Sequence, residues 1–268
     1  SLVLGPPPPP LPNLAGRVHL VTGGNAGIGL ETCEALCAAG GTAILMSRSR
    51  ARGEAARDAL RARGGRAELL VGDLQDEASV RSAAKQFEAL GLPLHALVLN
   101  AGVMLDGREV TRDGHEATMA ANHLGHFLLC KLLLPAMVEG GGDRRVVTVG
   151  SSTHWMAEGT GVRMDDLGCE RRGYELFGQY SQSKMANLMF SAELGRLAAA
   201  GGHPNLTTYC VHPGLVRTSV HKNMHPAIVF LHDLFGWALG ALMKPAEVGA
   251  RTSVYCAASG EVKGETGG

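Results

Sequence analysis

Tyr180 and Lys184 carry the clearest chemical signature in this sequence. A spacing of four places both side chains on one face of a helix. A tyrosine hydroxyl with an ordinary pKa of about 10 is a poor base near neutrality, and a neighbouring ammonium favours the phenolate and lowers that value. Tyr180 so paired can donate a proton to a carbonyl, or take one from an alcohol in reverse. Alone, a Tyr-x-x-x-Lys pair is an ordinary feature of helix surfaces. Its meaning comes from Thr22-Gly23-Gly24-Asn25-Ala26-Gly27-Ile28-Gly29, directly after the apolar run 18–21. A short strand feeds a glycine-rich turn, and an apolar-periodic segment (Ile28, Leu30, Ala35, Leu36) reads as the helix that follows. That is the first βα unit of a dinucleotide-binding sheet, with the pyrophosphate at the helix N-terminus, where free N–H groups and the dipole favour an anion. In such a turn Gly23 permits the tight bend, Gly27 lets phosphate approach the backbone and Gly29 lets helix and strand pack closely.

The remaining elements must hold these residues. A strand at 42–47 precedes a polar helix carrying Arg50, Arg52, Glu54, Arg57 and Arg61, and a strand at 67–71 ends at Asp73-Leu74. A helix at about 79–90, a strand at 96–99 and a long helix at 117–134 follow, the last expected to end or kink at Pro135. A strand at 145–149 leads to Ser151, a helix at 180–197 carries the tyrosine and lysine, and a strand at 206–211 leads to His212-Pro213-Gly214. Strands that are apolar throughout and alternate with helices predict a parallel sheet buried on both faces. Right-handed crossovers then give a doubly wound α/β Rossmann fold, with ligands beyond the carboxyl ends of the strands.

A fold of this type that prefers NAD(H) ends its second strand with an acid for the ribose 2′-hydroxyl. Here that strand ends Met46-Ser47-Arg48-Ser49-Arg50. The planar, permanently charged fork of Arg48 suits a 2′-phosphate, with Arg50 or Arg52 to assist, so NADP(H) is the expected cofactor and NAD(H) the secondary one. The plainer alternative is a solvated helix start.

The order Thr22-Gly-x-x-x-Gly-x-Gly29, Asn100-Ala101-Gly102, Asn122, Ser151 and Tyr180-Ser-Gln-Ser-Lys184 resembles the short-chain dehydrogenase/reductase family, from about Arg17 to the chain end. The resemblance implies an oxidoreductase acting on CH–OH groups with NAD(P), Tyr180 being the general acid/base. It implies that Lys184 also binds the nicotinamide ribose and that Ser151 hydrogen-bonds the substrate oxygen and steadies its developing charge. Asn122, in Ala121-Asn-His-Leu-Gly-His126, would hold a water linking Lys184 to solvent. The cofactor would lie against Thr22, Gly23, Asn25, Gly27, Ile28 and Gly29 at the turn, with Arg48 beyond. Asp73 and Leu74 would flank the adenine, and Asn100, Ala101 and Gly102 the adenosine ribose. Tyr180, Lys184, Pro213, Gly214 and Thr218 would face the nicotinamide, Thr218 contacting the carboxamide or a phosphate. Relatives read Val-x-Val-Ser-Ser-x-x-His with the second serine catalytic; aligning on Val147, Val149 and His154 favours Ser151 over Ser152. Leu99 stands where the family has Asn, a departure that touches packing more than chemistry. The stretch from Ser151 to Tyr180 is longer than in many relatives, which an insertion around 158–162 explains.

Within the family, Arg145-Val-Val-Thr-Val149, Thr153-His154, Met164-Asp-Asp-Leu167, Gly236-Trp237 and Gly249-x-x-Thr252-Ser-Val-Tyr255 are similar to the retinol dehydrogenase-like and polyprenol dehydrogenase-like subgroup. Its members act on retinoids, polyprenols and polyprenals, or other lipophilic alcohols and aldehydes, at the endoplasmic reticulum or lipid droplets. The same location is implied here, or the cytoplasm if no anchor exists upstream. Relatives continue past a Gly-Gly pair with a final strand, whereas the sequence stops at Thr266-Gly267-Gly268; a missing last strand would expose a sheet edge. A catalytically weak or truncated member serving as a cofactor-binding scaffold is the alternative function.

Composition is consistent with one enzyme-sized core. With 268 residues, 45% of them hydrophobic, a single domain over 14–268 follows a proline-rich tail at 1–13 that contains Pro6 to Pro10. Lys+Arg and Asp+Glu are equal at 25 each, so no net charge recruits nucleic acid. The six cysteines show no Cys-x-x-Cys or zinc spacing, Cys33 and Cys37 reading as packing residues, and His221, His225 and His232 fall in no His-Glu-x-x-His frame, so no metal is expected. The segment 226–243 is apolar and aromatic in a chain with only 4% aromatic residues, and His232 and Asp233 interrupt it. It reads as a cover for a large apolar substrate (retinoid, isoprenoid or steroid) or as a membrane-surface contact; a lid packed on its own core is the plainer alternative. Dimers and tetramers are common in the family, and the resemblance implies a homodimer as one of these assemblies.

Overall fold

The computed structural model describes residues 10–139, 141–157, 159, 161–216 and 243–266. The predicted Thr218, the histidines His221, His225 and His232, segment 226–242 and part of the 158–162 insertion lie outside these residues.

Six parallel strands form one sheet: β1 (Val18–Thr22), β2 (Thr42–Ser47), β3 (Arg66–Val71), β4 (Ala96–Leu99), β5 (Arg144–Val149) and β6 (Leu206–Val211), in the order β3-β2-β1-β4-β5-β6. The helices are α1 (Gly27–Ala38), α2 (Arg50–Ala62), α3 (Glu77–Ala89), α4 (Ala117–Glu139), α5 (Leu176–Ala200) and α6 (Ala246–Ala258). Side chains of a strand alternate between faces, and both faces here are apolar. Val21, Leu45, Val98 and Val147 pack with Cys33, Leu36, Leu60 and Ala257 on the side of α1, α2 and α6. Leu20, Ile44, Leu97 and Val146 pack with Val80, Phe87, Leu129 and Ala198 on the side of α3, α4 and α5. The chain direction across the sheet reverses between β1 and β4, and the crevice beyond their carboxyl ends is where ligands bind in folds of this topology.

Two helices differ from expectation. Pro135 does not end α4, which continues to Glu139 with the proline inside it. Pro135 and Lys131, one turn earlier, are both exposed, so the backbone hydrogen bond that the proline cannot make is lost on the solvent side of the helix. Leu133 and Met137, buried against the sheet, hold the helix together through that point. Helix α5 begins at Leu176, so Tyr180 sits in its second turn rather than at its start.

Helix α4 is also long and apolar enough to cross a membrane, with mean hydropathy 1.2 over its most apolar window. Its Leu129, Cys130, Leu133 and Met137 are buried against the sheet, as in a core helix. Among the described residues β6 is an edge strand, and the segment after α6 returns to it. The Tyr209 hydroxyl donates to Val262 O at 2.6 Å, and the Thr208 N–H to Thr266 Oγ1 at 3.2 Å. At the amino end, Leu11 packs against the core and Leu14 is fully buried.

Candidate active site

The carboxyl ends of β1, β4 and β5 are tied together before any ligand is considered. Thr22, the last residue of β1, is fully buried, and its Oγ1 accepts the N–H groups of Asn100 (2.9 Å) and Ala101 (3.0 Å) beyond β4. Asn100 Nδ2 donates back to Thr22 O at 2.8 Å. Gly29 fits beneath this knot: a Cβ there would stand 2.6 Å from Asn100 Nδ2, so only glycine lets α1 approach so closely. Gly27 differs. Its φ is +53° and no atom lies within 4 Å of where a Cβ would be. Ala26, the N-cap of α1, offers no side-chain acceptor, whereas Ser49 and Asp76 cap α2 and α3. The first N–H groups of α1 therefore lack a side-chain partner beside open space, which suits an anion such as a pyrophosphate.

That open space is a cavity of about 740 Å³ running along the carboxyl edge of the sheet. Thr22, Gly23, Asn25, Gly27 and Ile28 line its middle, with Asn100, Ala101 and Gly102 on the β4 side. Asp73 and Leu74 line it beyond β3, and Pro213 and Gly214 beyond β6. Arg48 and Arg52 border one end, both exposed; Arg50 turns away to pair with Glu54 at 3.7 Å. Ser151, Tyr180 and Lys184 close the other end. Gly29 and Asn122 support this wall from behind, so the predicted residues, apart from Thr218 outside the described residues, converge on one site.

Ser151, Tyr180 and Lys184 line the same end of the cavity, and the Ser151 Oγ accepts from Thr153 N at 3.2 Å and from Thr153 Oγ1 at 3.0 Å. Ser151 lines the cavity, whereas Ser152 is exposed outside its lining and donates its N–H to His212 Nδ1 at 3.2 Å. Burial pushes the Tyr180 hydroxyl up to about 12, and the neighbouring Ser151 side chain opposes that shift. The lowering expected from Lys184 is not seen: burial dominates, opposed by Ser151. Lys184 Nζ lies 5.5 Å from the centre of the Tyr180 ring and donates to Val149 O at 2.8 Å. Lys184 is itself buried, and burial draws its pKa down to about 8. A protonated tyrosine beside a lysine with a softened charge is an arrangement suited to giving a proton.

Asn122 lies in a π-turn, Ala120–Leu124, within α4. Its Oδ1 accepts from Val103 N at 2.7 Å, and its Nδ2 donates to Val103 O at 2.9 Å and to Ser183 Oγ at 3.0 Å. Ser183 Oγ donates in turn to Tyr180 O at 2.7 Å. Asn122 thus joins the loop after β4 to the helix that carries the tyrosine. Ser183 is a support that residue spacing did not single out, because its role arises only where α4 meets α5. Glu116 is another: its buried carboxylate accepts from Thr118 N and Met119 N at the start of α4, both at 2.8 Å, and from Gln179 Nε2 at 2.7 Å beside Tyr180.

Residues 17–162 match the family model described as short chain dehydrogenase. The chain belongs to the short-chain dehydrogenase/reductase family. It is 43% identical over 265 residues to the polyprenol dehydrogenase of Mus musculus, a match covering 97% of this chain and 77% of the relative. It is 37% identical over 246 residues to retinol dehydrogenase 12 of Bos taurus, covering 91% and 74%. Among solved structures, an uncharacterised protein from Mycobacterium paratuberculosis superposes with a TM-score of 0.73 at 36% identity, covering 93% of this chain and 79% of that one. This short-chain dehydrogenase/reductase is an oxidoreductase acting on CH–OH groups, and its Rossmann fold brings the tyrosine and the glycine turn to one cavity.

Proposed function

We propose that this protein interconverts a lipophilic alcohol and its aldehyde or ketone, of the retinoid, polyprenol or steroid class, using NADP(H). The observation that carries this reading is that Tyr180, Ser151 and Lys184 line one end of a single cavity whose far end is bordered by Arg48 and Arg52. Arg48 would hold the 2′-phosphate through a charge-assisted fork. Gly27 and the start of α1 would take the pyrophosphate, and Lys184 the nicotinamide ribose. When bound, the nicotinamide supplies or accepts the hydride. In the reductive direction Tyr180 gives its proton to the carbonyl oxygen while the Ser151 hydroxyl steadies the negative charge growing there. Burial keeps Tyr180 protonated near neutrality, which favours that direction.

An apolar wall supports the substrate class. Met104, Phe177, Leu215 and Met243 line the cavity, and Trp155, just after Ser151, is 82% exposed. The names of the relatives, polyprenol dehydrogenase and retinol dehydrogenase 12, point to the same class.

The test is NADPH oxidation by the purified protein with a long-chain polyprenal and with retinal, beside Tyr180→Phe. The variant should lose on the order of 10²–10⁴-fold in kcat while NADPH binding persists. Turnover by Tyr180→Phe equal to that of the wild type would remove Tyr180 from the chemistry.

A further inference from the structure

His126 is a buried imidazole to which the proposed chemistry gives no role. It lies one turn after Asn122 on α4 and is 1% exposed. Both ring nitrogens are engaged: Nε2 is 2.8 Å from Thr22 Oγ1, and Nδ1 is 3.0 Å from the Asn122 carbonyl oxygen.

The partners fix where the protons are. A threonine hydroxyl has two lone pairs and one proton. The N–H groups of Asn100 and Ala101 occupy both lone pairs of Thr22. Its proton has two directions open: Val98 O at 3.5 Å, or His126 Nε2 at 2.8 Å. The shorter contact takes it, so Thr22 donates and Nε2 accepts. Nδ1 must then carry the ring proton, which it donates to the Asn122 carbonyl. The opposite tautomer would set an N–H against an oxygen with no lone pair free, and an unprotonated Nδ1 against a carbonyl. A doubly protonated ring meets the first of these conflicts. Burial acts in the same sense, drawing the ring pKa down to about 3, with Lys184 and His123 nearby adding to the effect.

A continuous chain of bonds results. It runs from the amides of Asn100 and Ala101 through Thr22 and His126 to the carbonyl of Asn122. The Asn122 side chain continues it through Ser183 to the Tyr180 carbonyl. The π-turn matters here. It shifts backbone pairing from the fourth to the fifth residue, and the Gly125 N–H reaches back to Ala120 O. The His126 side chain thereby anchors the Asn122 carbonyl at the point where the helix is least regular. We infer that His126 is a positioning residue: in a single neutral tautomer, it joins the nucleotide-binding turn at Thr22 to the catalytic helix through the Asn122 carbonyl. The inference rests on the reading of Tyr180 and Asn122 given above.

The two ends of the ring can be separated. An asparagine amide stands where Nδ1 does and retains a donor for the Asn122 carbonyl; a glutamine amide reaches the place of Nε2 and retains an acceptor for Thr22. His126→Asn should weaken NADPH binding, read as Kd, by about tenfold and leave kcat within about twofold. His126→Gln should do the reverse, lowering kcat about tenfold with Kd nearly unchanged. Imidazole ¹⁵N shifts of the wild-type protein report the tautomer without any turnover; protonated Nδ1 with bare Nε2, unchanged from pH 8 to pH 5, is expected. A protonated Nε2, or titration of His126 near its ordinary pKa, overturns the inference. So does a pair of variants that lose Kd and kcat together in step with melting temperature, the behaviour of a mere core filler. Failure of the proposed function looks different: the wild type would oxidise no NADPH with either aldehyde, while the tautomer and the Kd difference would still decide the role of His126.

Discussion

Burial sets the electrostatics of Lys184 and Tyr180, with consequences that can be measured. The Lys184 pKa falls from 10.5 to about 8 in the folded protein. Between those values the unfolded chain binds more protons than the folded one, so wild-type stability rises with pH through that window, and the full penalty of the buried charge applies below pH 8. Lys184→Met has no such penalty. Its stability relative to the wild type should be greatest near pH 7 and decline by up to about 3 kcal/mol by pH 10.5, as read from urea unfolding. A difference independent of pH would mean that the lysine is solvated. At the far end of the cavity, Arg48 is exposed and borders the site without an ion-pair partner among the described residues. Arg48→Ala should raise KM for NADPH by roughly 10–100-fold, the equivalent of one charge-assisted pair, and leave KM for NADH nearly unchanged. Equal effects on both cofactors would deny Arg48 the 2′-phosphate. Most of these residues were legible in the sequence because their types are unusual for their places: a tyrosine one turn before a lysine, an arginine where an acid is expected. Ser183 and His126 were not, since serine and histidine are ordinary in a helix and take on their roles only through partners on other elements.

Among the elements, the strands were read almost to the residue, because a parallel strand buried on both faces is a plain apolar run. Helix interiors were less legible. The π-turn at Ala120–Leu124 is a shift of hydrogen-bond register that leaves no trace in residue type, and Pro135 persists inside α4 because its cost falls on the exposed side of the helix. At the opposite end of the sheet, β5 is fastened by a buried ion pair. Arg145, 2% exposed, binds Asp143 at 2.7 Å and donates to Cys256 O at 3.0 Å, joining β5 to α6. Removing one partner leaves a buried charge uncompensated, so Asp143→Asn should destabilise the fold by about 3–5 kcal/mol. Calorimetry would show it as a lower melting temperature with kcat preserved in the folded fraction. A variant as stable as the wild type would place the Arg145 charge in contact with water.

Across the molecule's described residues, burial lowers the pKa of five histidines from an ordinary 6.5: His19 to about 3, His95 to about 4, His126 to about 3, and His123 and His212 to a lesser degree. Arg17 near His19 and Arg144 near His95 push the same way. Below pH 6.5 the unfolded chain takes up protons that the folded chain refuses, so stability should fall as pH drops toward 4, by up to about 1.4 kcal/mol per pH unit for each of the buried His19 and His126 and by less for the others. Denaturant unfolding at successive pH values reads that slope directly, and a flat profile between pH 6.5 and 4.5 would contradict it. The same fold that excludes protons from these rings concentrates its ligand-facing groups on one edge of the sheet. Single-turnover reduction of a polyprenal with NADPH deuterated at the transferable position should deliver deuterium to the carbonyl carbon in the wild type and none above background in Tyr180→Phe. Label transfer undiminished in the variant, or its absence from wild-type protein with NADPH bound, would contradict the assignment of this cavity and its tyrosine to hydride chemistry on a lipophilic carbonyl.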